Sequence, residues 1–555
     1  MNTTTKPDFP IVIEVLPLDG LRLRLAFADG LSGIVNISQL MRGPVFEKIV
    51  REPQFFQEVS IDSHLDTVCW PNGADLSPSV LYDLVVPEVA SGTDAKNVSN
   101  HGVLPFFGRI IRSQLHYSDN LTVLQERIDT ETIDLVYLDP PFNSKRVYNV
   151  LYSTASGDDP VESVQAFEDF WVWDHQTEHA YRELTSESND LSAALKALRV
   201  LLRQSDTMAY LVMMAPRLRE LQRVLKPSGS LYLHCDQTAS HYLKVLMDVI
   251  FGADNFLNNI VWLYGLGGSS PRYWPRKHDD ILWYAKSNPD HYFEASKIPA
   301  TSQRMKGKTK KAPDWWEIPS INNMAKERLG FPTQKPIGLL KRIVESSCPP
   351  EGVVLDPFCG CGTALAAAEE LKRKWIGIDV SYLGIDIVQH RLENTFGAAI
   401  RDSYSLFGQP SSMKDAVTLY EQSELEFERW AVSLVDAEPS LGPDRRFDGI
   451  IRIPMPKGVE DATAGVNIAS EAQLGQSIDR VEASMDSAEA SLGLVIPLRP
   501  NSELRSRAAM AGTWRWPVNG REYPRLQVVS VEEMLSGRVV PALPPSIPPY
   551  SGKAS

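Results

Sequence analysis

The pattern of apolar and polar positions changes along the chain and predicts three regions. Residues 10–85 alternate apolar and polar positions over short runs, IVIEVLPLDG, LRLRLAFADG and LSGIVNISQL, as half-buried strands do. The pairs Asp19-Gly20 and Asp29-Gly30 suit hairpin turns. We therefore predict a small β-rich domain over residues 1–90. A polar linker is predicted over residues 91–103, on the basis of the stretch ASGTDAKNVSNHG at residues 90–102.

The middle of the chain, residues 104–400, alternates short apolar runs with helical periodicity. This alternation predicts an α/β domain with a mostly parallel sheet. The predicted buried strands are IDLVYL, GSLYLHC, GVVLD and KWIGID. The predicted helices cover residues 191–203, 206–225, 337–347, 363–372 and 381–394.

Residues 401–540 begin with an acidic segment and a helical stretch around ELEFERWAVSLV, and continue as mixed strands and helices. We predict a second α/β domain there. The Pro-rich end, PALPPSIPPYSGKAS, predicts a disordered tail over residues 541–555.

Bulk composition is that of an ordinary globular chain, with 43% hydrophobic and 23% charged residues in a length of 555. There is no apolar run of membrane-spanning length and no signal-peptide pattern, so we expect a cytoplasmic protein without a membrane partner. The five cysteines have no CxxC spacing, and therefore predict neither a disulfide framework nor a metal site.

Charge is distributed unevenly over a chain whose net charge is −14. Residues 261–345 carry 15 Lys and Arg against 8 Asp and Glu, whereas residues 401–555 carry 16 against 21. Because electrostatic attraction acts locally, the basic stretch can still hold an anionic partner.

The first chemical motif follows the strand IDLVYL and consists of Asp139, Pro140, Pro141 and Phe142. A carboxylate at the carboxyl end of a parallel strand lies where such sheets bind ligands. Asp139 and the Pro140 carbonyl can accept hydrogen bonds from an exocyclic amine while Phe142 stacks on the ring of a flipped-out base. The alternative is a simple turn stiffened by proline.

The second motif links the strand GVVLD to a helix through a glycine-containing turn with the sequence DPFCGCGT. Glycines allow close backbone approach, and a helix N-terminus offers free N–H groups. Asp379, at the end of the strand KWIGID, suits ribose hydroxyls. The motif therefore predicts an adenosine-type cofactor, bound by Asp356, Phe358, Gly360, Gly362, Thr363 and Asp379.

Together the two motifs resemble the β-class amino-methylating DNA methyltransferases, in which the catalytic motif precedes the cofactor motif. TQKPIGLL, which contains Thr333, Lys335 and Pro336, resembles their methionine-side cofactor segment. The segments beginning LKPSGSLYLHCDQ and DWWEIPSIN, and AKERLGFP, also match. The resemblance implies a Rossmann-like core, S-adenosylmethionine as cofactor, double-stranded DNA as substrate, and a restriction-modification or phage-defence context.

In this family Asp139 followed by Pro-Pro and an aromatic residue implies methylation of adenine N6. Cytosine N4 methylation and a non-catalytic DNA-binding subunit of a defence complex remain alternatives. Cytosine C5 methylation is set aside because the chain has no Pro-Cys dipeptide. The resemblance also implies a homodimer, and leaves open a separate restriction or defence subunit.

The DNA target-recognition insertion is predicted over residues 265–332, which are rich in Gly, Pro, aromatic and basic residues. Tyr273 and Trp274 lie among its candidate contacts. The basic candidates are Arg272, Arg276, Arg304, Lys306, Lys308, Lys310 and Lys311.

Both terminal regions carry weaker resemblances. FERWAVSLVDAEPSLGPDRRFDGIIRIP resembles an Mrr-like restriction endonuclease, with Asp448 as its metal-binding aspartate. Such a site also needs Asp/Glu-x-Lys, but no lysine lies between Lys457 and Lys553, so we predict a degenerate nuclease domain. The N-terminal GIVNISQLMRGPVFEKI and VCWPNGADLSP resemble a small domain of unknown function.

Overall fold

The structure is a computed structural model of the chain that divides into two compact units, Met1–Leu104 and Pro105–Ser555. In the first unit it describes residues 12–18, 21–27, 32–37, 40–41, 44–57, 59–62, 67–72, 74–84 and 86–87. In the second it describes residues 112–141, 146–151, 163–169, 171–265, 271–299, 307–322, 325, 327–329, 331, 333–440, 446–456, 458–469, 474–487 and 490–550. The predicted turns at residues 19–20 and 29–30 lie outside these ranges.

The first unit is rich in β structure. Its strands are β1 (Val12–Leu18), β2 (Arg22–Phe27), β3 (Ser32–Asn36), β4 (Ser60–Asp62), β5 (Thr67–Cys69), β6 (Asp75–Leu76) and β7 (Val86–Pro87). Its helices are α1 (Glu47–Arg51), α2 (Pro53–Phe56) and α3 (Pro78–Leu84). The strands form antiparallel sheets of order β1-β2-β3-β7 and β4-β5-β6. Alternate residues of β2, Leu23, Leu25 and Phe27, face the core, as the period-two pattern predicts.

The larger unit begins with an α/β region. Its strands are β8 (Ser113–Tyr117), β9 (Ile133–Leu138), β10 (Arg146–Leu151), β11 (Ser163–Asp169), β12 (Leu225–Cys235), β13 (Phe256–Leu263), β14 (His278–Ala285), β15 (Lys297–Pro299), β16 (Thr309–Lys311), β17 (Trp315–Glu317), β18 (Val353–Asp356), β19 (Lys374–Asp379) and β20 (Tyr404–Phe407). Its helices are α4 (Asn120–Arg127), α5 (His175–Leu184), α6 (Asp190–Leu202), α7 (Asp206–Val224), α8 (Ser240–Phe251), α9 (Ile337–Ser347), α10 (Thr363–Glu370) and α11 (Tyr382–Phe396).

A large, mostly parallel sheet organises this region, in the order β17-β13-β14-β12-β9-β18-β19-β8-β20. β14 runs antiparallel to both β12 and β13. The six strands β12, β9, β18, β19, β8 and β20 are parallel to one another. Helices pack on both faces of this sheet. β9 therefore contributes Val136 and Leu138 to one apolar core and Leu135 and Tyr137 to the other. The predicted α/β fold class is confirmed, as are the predicted strands and helices, with end shifts of one or two residues and with the GSLYLHC strand extended back to Leu225.

A second, smaller sheet follows, in the order β21-β22-β23-β24-β27. The strands after residue 400 that belong to it or to a hairpin are β21 (Glu438–Pro439), β22 (Gly449–Ile453), β23 (Ala462–Ala469), β24 (Leu492–Pro497), β25 (Thr513–Arg515), β26 (Glu522–Pro524) and β27 (Leu526–Val528). The helices are α12 (Met413–Gln422), α13 (Glu424–Ser433), α14 (Leu474–Asp486), α15 (Ser502–Ala509) and α16 (Val531–Leu535).

The end of the chain differs from the prediction of a disordered tail over residues 541–555. Residues 541–550 are described, and Tyr550 is buried in an apolar cluster with Phe331, Cys361 and Leu383. The Tyr550 hydroxyl donates a hydrogen bond to Asp386 Oδ2 at 2.7 Å. The apolar ring gains this burial at a distant helix, a contact that a proline-rich composition does not reveal. In the described part of the chain no helix is long and apolar enough to cross a lipid bilayer.

Candidate functional site

Three aspartates that the sequence placed at strand ends meet at one edge of the large sheet. β9 and β18 pair in parallel through Val136 and Leu355, and β18 continues in register with β19. Asp139, Asp356 and Asp379 therefore follow or end three adjacent strands at their carboxyl ends. This is the edge at which open α/β sheets bind ligands.

A pocket of about 890 Å³, counted with its open mouth, lies at this edge. Predicted site residues that line it are Asp139, Pro140, Pro141, Thr333, Lys335, Asp356, Phe358, Gly360, Thr363 and Asp379. Pro336 and Gly362 are next to the lining, at the starts of α9 and α10. Phe142 lies outside the described residues.

The Asp139 carboxylate presents one oxygen to a cation and the other to no partner. Lys335 Nζ donates a hydrogen bond to Asp139 Oδ2, and both side chains are largely buried. Asp139 Oδ1 is buried as well, and among the described residues nothing donates to it. Since an unsatisfied buried oxygen is costly, this atom is set to accept a hydrogen bond from a ligand. Lys335, predicted to contact the cofactor, thus also contacts the predicted catalytic residue.

The glycine turn after β18 brings the backbone close to its neighbours. Gly360 and Gly362 have φ values of +47° and +70°, which other residues rarely adopt. A Cβ on Gly360 would lie 3.2 Å from the ring of Phe331, and one on Gly362 would lie 2.8 Å from Val388. Both positions thus require glycine to keep this tight turn against the pocket.

Asp379 fixes the other side of that turn. Its carboxylate accepts hydrogen bonds from Gly360 N and Ser381 N, both at 2.8 Å. Burial raises the pKa of Asp379 to about 6, although these backbone N–H groups act in the opposite direction. A carboxylate oxygen has more than one lone pair, so Asp379 can also accept from a hydroxyl in the pocket.

Asp356, at the end of β18, is buried beneath the pocket. Burial raises the pKa of its carboxyl group well above the ordinary value, a hydrogen bond from Phe358 N opposes this shift, and the charges of Asp139 and Asp379 add to it. Asp356 is thereby held toward its neutral form, which limits repulsion among the three acidic groups.

Two side chains that the sequence did not single out hold the turn from opposite sides. Asn120 Nδ2, at the start of α4, donates to the carbonyl of Pro357 at 2.8 Å. Arg391, buried in α11, donates to the carbonyl of Cys361 at 3.0 Å and to Thr363 Oγ1 at 2.9 Å. Both residues stabilise the loop through distant elements, and no local motif marks them.

A chain of polar side chains crosses three strands next to Asp139. The Tyr137 hydroxyl and His234 Nδ1 are 3.0 Å apart, and His234 Nε2 lies 3.2 Å from Asp279 Oδ2. Burial raises the pKa of Tyr137 well above its ordinary value, so its hydroxyl remains protonated. Burial acts to raise the pKa of Asp279, but hydrogen bonds to His234 and Tyr264 and the charges of His234 and Lys335 together lower this pKa below its usual range. The chain ties β9, β12 and β14 together at the edge that carries the pocket.

The two cysteines of the turn show no sign of reactivity. Cys359 and Cys361 are buried, and burial raises the pKa of both thiols. A thiol held protonated is a poor nucleophile and a poor metal ligand. Both thiols therefore fit a packing role within the turn.

Comparison with known proteins relates the central region to a family of DNA methylases. Residues 133–389, which include every pocket residue named above, match the N6_N4_Mtase family, described as DNA methylase. The match covers slightly less than half of the chain. Residues 12–87 match a second family, DUF2442, a protein of unknown function, which assigns no activity.

Several named proteins that are similar to this chain are DNA methyltransferases. The Type II methyltransferase M.HpaI of Haemophilus parainfluenzae is 30% identical over 206 residues, 36% of this chain and 65% of the relative. The DNA adenine methyltransferase YhdJ of Escherichia coli K12 is 30% identical over 190 residues, 31% of this chain and 64% of the relative. The chain thus spans just under two thirds of the length of each of these relatives.

A solved structure of the cytosine-N4-specific PvuII DNA methyltransferase is also similar to this chain. It shares 14% identity, covers 53% of this chain and 94% of its own, and has a TM-score of 0.34.

The basic residues that the sequence predicts to contact DNA lie at two separate places. Arg272 and Arg276 are exposed in the loop between β13 and β14. Lys308, Lys310 and Lys311 lie in or beside the β15–β16 ribbon. Arg304 and Lys306 lie outside the described residues.

In the region after residue 400, Asp448 lies directly before β22. Its Oδ2 accepts a hydrogen bond from Ile468 N at 2.8 Å. The neighbouring strand β23 carries Asn467 and Ala469, neither an acidic residue nor a lysine. Asn467 is fully buried, and its amide group has no hydrogen-bond partner in the described part of the chain. Groups of three or more candidate metal-ligating side chains are absent from the described residues.

Proposed function

We propose that this protein transfers a methyl group from S-adenosylmethionine to the N6 amino group of adenine in double-stranded DNA, in a restriction-modification or defence context. The family match and the adenine-specific relative support the reaction class. The observation that carries the proposal is the buried, unpartnered Asp139 Oδ1, which shares a pocket with the glycine turn and Asp379.

The residues of the pocket fit S-adenosylmethionine. Asp379 is placed to accept from ribose hydroxyls, and Gly360 keeps the wall open to a ligand. Phe358 and Val380 offer apolar surface for the adenine ring, and Thr333 lies at the side predicted for the methionine part. When bound, the cofactor supplies an electrophilic methyl group on a sulfonium sulfur.

Asp139 acts on the target amine. Its free oxygen accepts a hydrogen bond from one N–H, which aligns the nitrogen lone pair and increases its electron density. The cofactor would supply its methyl group to this nitrogen and leave as a neutral thioether, and the surplus amine proton would pass to the Asp139 carboxylate or to water. Lys335 fixes the orientation of Asp139 from the opposite oxygen. No covalent adduct with the protein is needed.

Adenine is the base that we propose because aspartate, rather than serine, occupies position 139. Phe142 is proposed to stack on the extruded base. The domain after residue 400 is proposed to be a degenerate nuclease fold, since Asn467 and Ala469 stand beside Asp448. A homodimer, a separate restriction or defence subunit, and a cytoplasmic location stay as proposals that rest on the family resemblance.

The direct test incubates the purified full chain with unmethylated bacterial genomic DNA and S-adenosylmethionine carrying a deuterated methyl group. The DNA is digested to nucleosides and analysed by mass spectrometry. We expect labelled N6-methyldeoxyadenosine. Labelled N4-methyldeoxycytidine would overturn the choice of base, and unlabelled DNA from a chain that binds the cofactor would overturn the proposed activity.

A further inference from the structure

A loop of the recognition region is anchored at the same sheet edge as Asp139. β14 pairs antiparallel with β12, so its first residues, His278 and Asp279, lie at the carboxyl edge of the parallel strands. Tyr264 N donates to the carbonyl of Lys277 at 3.2 Å and closes the base of the loop that spans residues 265–276. β14 lies two strands from β9, a spacing of about 10 Å.

The base of this loop is tied to the pocket by side chains. The Tyr264 hydroxyl lies 3.5 Å from Asp279 Oδ1, and Asp279 continues the polar chain through His234 to Tyr137. Gln237 Nε2 also lies 2.7 Å from His278 Nε2. The loop therefore emerges from a fixed point beside the catalytic residues.

The described part of the loop presents a large aromatic surface to solvent. Trp274 is 93% exposed and Tyr273 is 68% exposed. Pro271 and Pro275 flank the pair and restrict the backbone, which lowers the entropy lost when Tyr273 and Trp274 contact a ligand. Arg272 and Arg276 are exposed on either side of Trp274 and supply positive charge. An aromatic ring between cationic groups suits a stacked, polyanionic ligand.

The lysine-rich ribbon of β15 and β16 is anchored elsewhere. At its base, Ser296 Oγ lies 2.9 Å from Ser346 Oγ, near the end of α9 that is farther from Lys335. The eleven residues of α9 extend about 16 Å away from the pocket. The aromatic loop is thus the better placed of the two to act at the target base.

We propose that Trp274 enters the DNA base stack and fills the gap left when the target adenine leaves the helix for the pocket. This inference rests on the proposed adenine methylation. Trp274 lies four positions before His278, so the ring can reach about 14 Å beyond the strand end. Apolar side chains that wedge between base pairs lower the cost of a disrupted stack, and a flipped base leaves such a gap.

The test compares Trp274→Ala with the wild-type chain on two short duplexes. Both contain the motif that genome sequencing shows the protein to methylate. In the first duplex the target adenine is paired, and in the second it faces an abasic site, so that extrusion is already easy. We expect Trp274→Ala to lose roughly ten- to a hundredfold in kcat/KM on the paired duplex and to recover to within a few-fold on the abasic one.

Matched variants separate this role from loss of structure. Trp274→Phe keeps a stacking ring and should retain most activity, while Phe407→Ala removes a half-exposed aromatic ring at the opposite end of the same sheet and should leave both rates unchanged. An equal loss on both duplexes, no loss on either, or a change only in oligomeric state would overturn the role of Trp274. If the wild-type chain marks no DNA, the proposed methylation itself has failed.

Discussion

The two sheets of the larger unit each place an aspartate beside a strand, yet the surroundings of the two residues differ. Asp139 lies in a pocket, with one oxygen on Lys335 and the other without a partner among the described residues. Asp448 Oδ2 accepts a hydrogen bond from the backbone N–H of Ile468, and the adjacent residue of that strand is the neutral Asn467. The large sheet thus leaves acceptor capacity open to a ligand, whereas the second sheet uses it to hold its own strands together.

A carboxylate at a strand end thus becomes functional through the residues that surround it. A shared α/β architecture supplies the position, but only the local set of cations, glycines and open oxygens supplies the chemistry.

The largest effect is expected from Asp139→Ala. Removing the acceptor should lower the methyl transfer rate roughly 10²- to 10⁴-fold and leave cofactor affinity nearly unchanged, because the residue acts on the amine. Radiolabelled methyl transfer and calorimetry measure the two quantities. Asp448→Ala is the matched control and should keep the full rate. Loss of cofactor binding together with activity would show that Asp139 has been assigned to the wrong partner.

Lys335→Met should come next. The change leaves the Asp139 carboxylate without its cation, and we expect kcat to fall roughly ten- to a hundredfold, as for loss of a charge-assisted hydrogen bond of about 1.5–3 kcal/mol. Lys341→Met in α9 breaks a more exposed ion pair with Glu370 and should change kcat little. Equal rates for both variants would remove Lys335 from the positioning of Asp139.

The third prediction concerns Asp379 and the pH dependence of cofactor affinity. Its pKa of about 6 means that the carboxylate loses its charge as the pH falls below 6, so affinity for S-adenosylmethionine should weaken there and level off above pH 7. Asp379→Asn should bind roughly ten- to a hundredfold more weakly at pH 8 and lose this pH dependence. Isothermal titration from pH 5 to 8 measures both effects. A wild-type affinity that stays constant over this range would contradict the assignment.

The smallest effect is expected in the second sheet. With Mg²⁺ and supercoiled plasmid, the wild-type chain should produce no strand breaks, because β23 lacks both the acidic residue and the lysine. Gel electrophoresis after overnight incubation reports nicking. Cleavage that disappears in Asp448→Ala would show that the nuclease site is complete by some other arrangement of residues.

Much of the large α/β fold follows from local pattern. IDLVYL and KWIGID have the mainly apolar character of strands covered on both faces. Asp139 directly follows the first strand, and Asp379 ends the second, at the pocket edge. Parallel strands bring such ends together, so the meeting of Asp139 and Asp379 could be predicted before any coordinates.

Other contacts depend on packing between distant segments and leave no local signal. Lys335 and Asp139 are 196 residues apart, and the TQKP segment indicates a place near the cofactor but not the direction of the lysine. The polar chain through His234 joins three strands across the sheet order, and Tyr550 reaches α11 from a segment whose composition predicted disorder. Such contacts arise from tertiary geometry, which sequence periodicity does not encode.

The most direct test of the central claim is to express the chain, and separately Asp139→Ala, in a bacterial host that lacks DNA methylation, and to map modified bases over the genome by single-molecule sequencing. The account predicts adenine N6 marks at one short motif with the wild-type chain and none with Asp139→Ala. Cytosine marks, or adenine marks that persist without the Asp139 carboxylate, would contradict it.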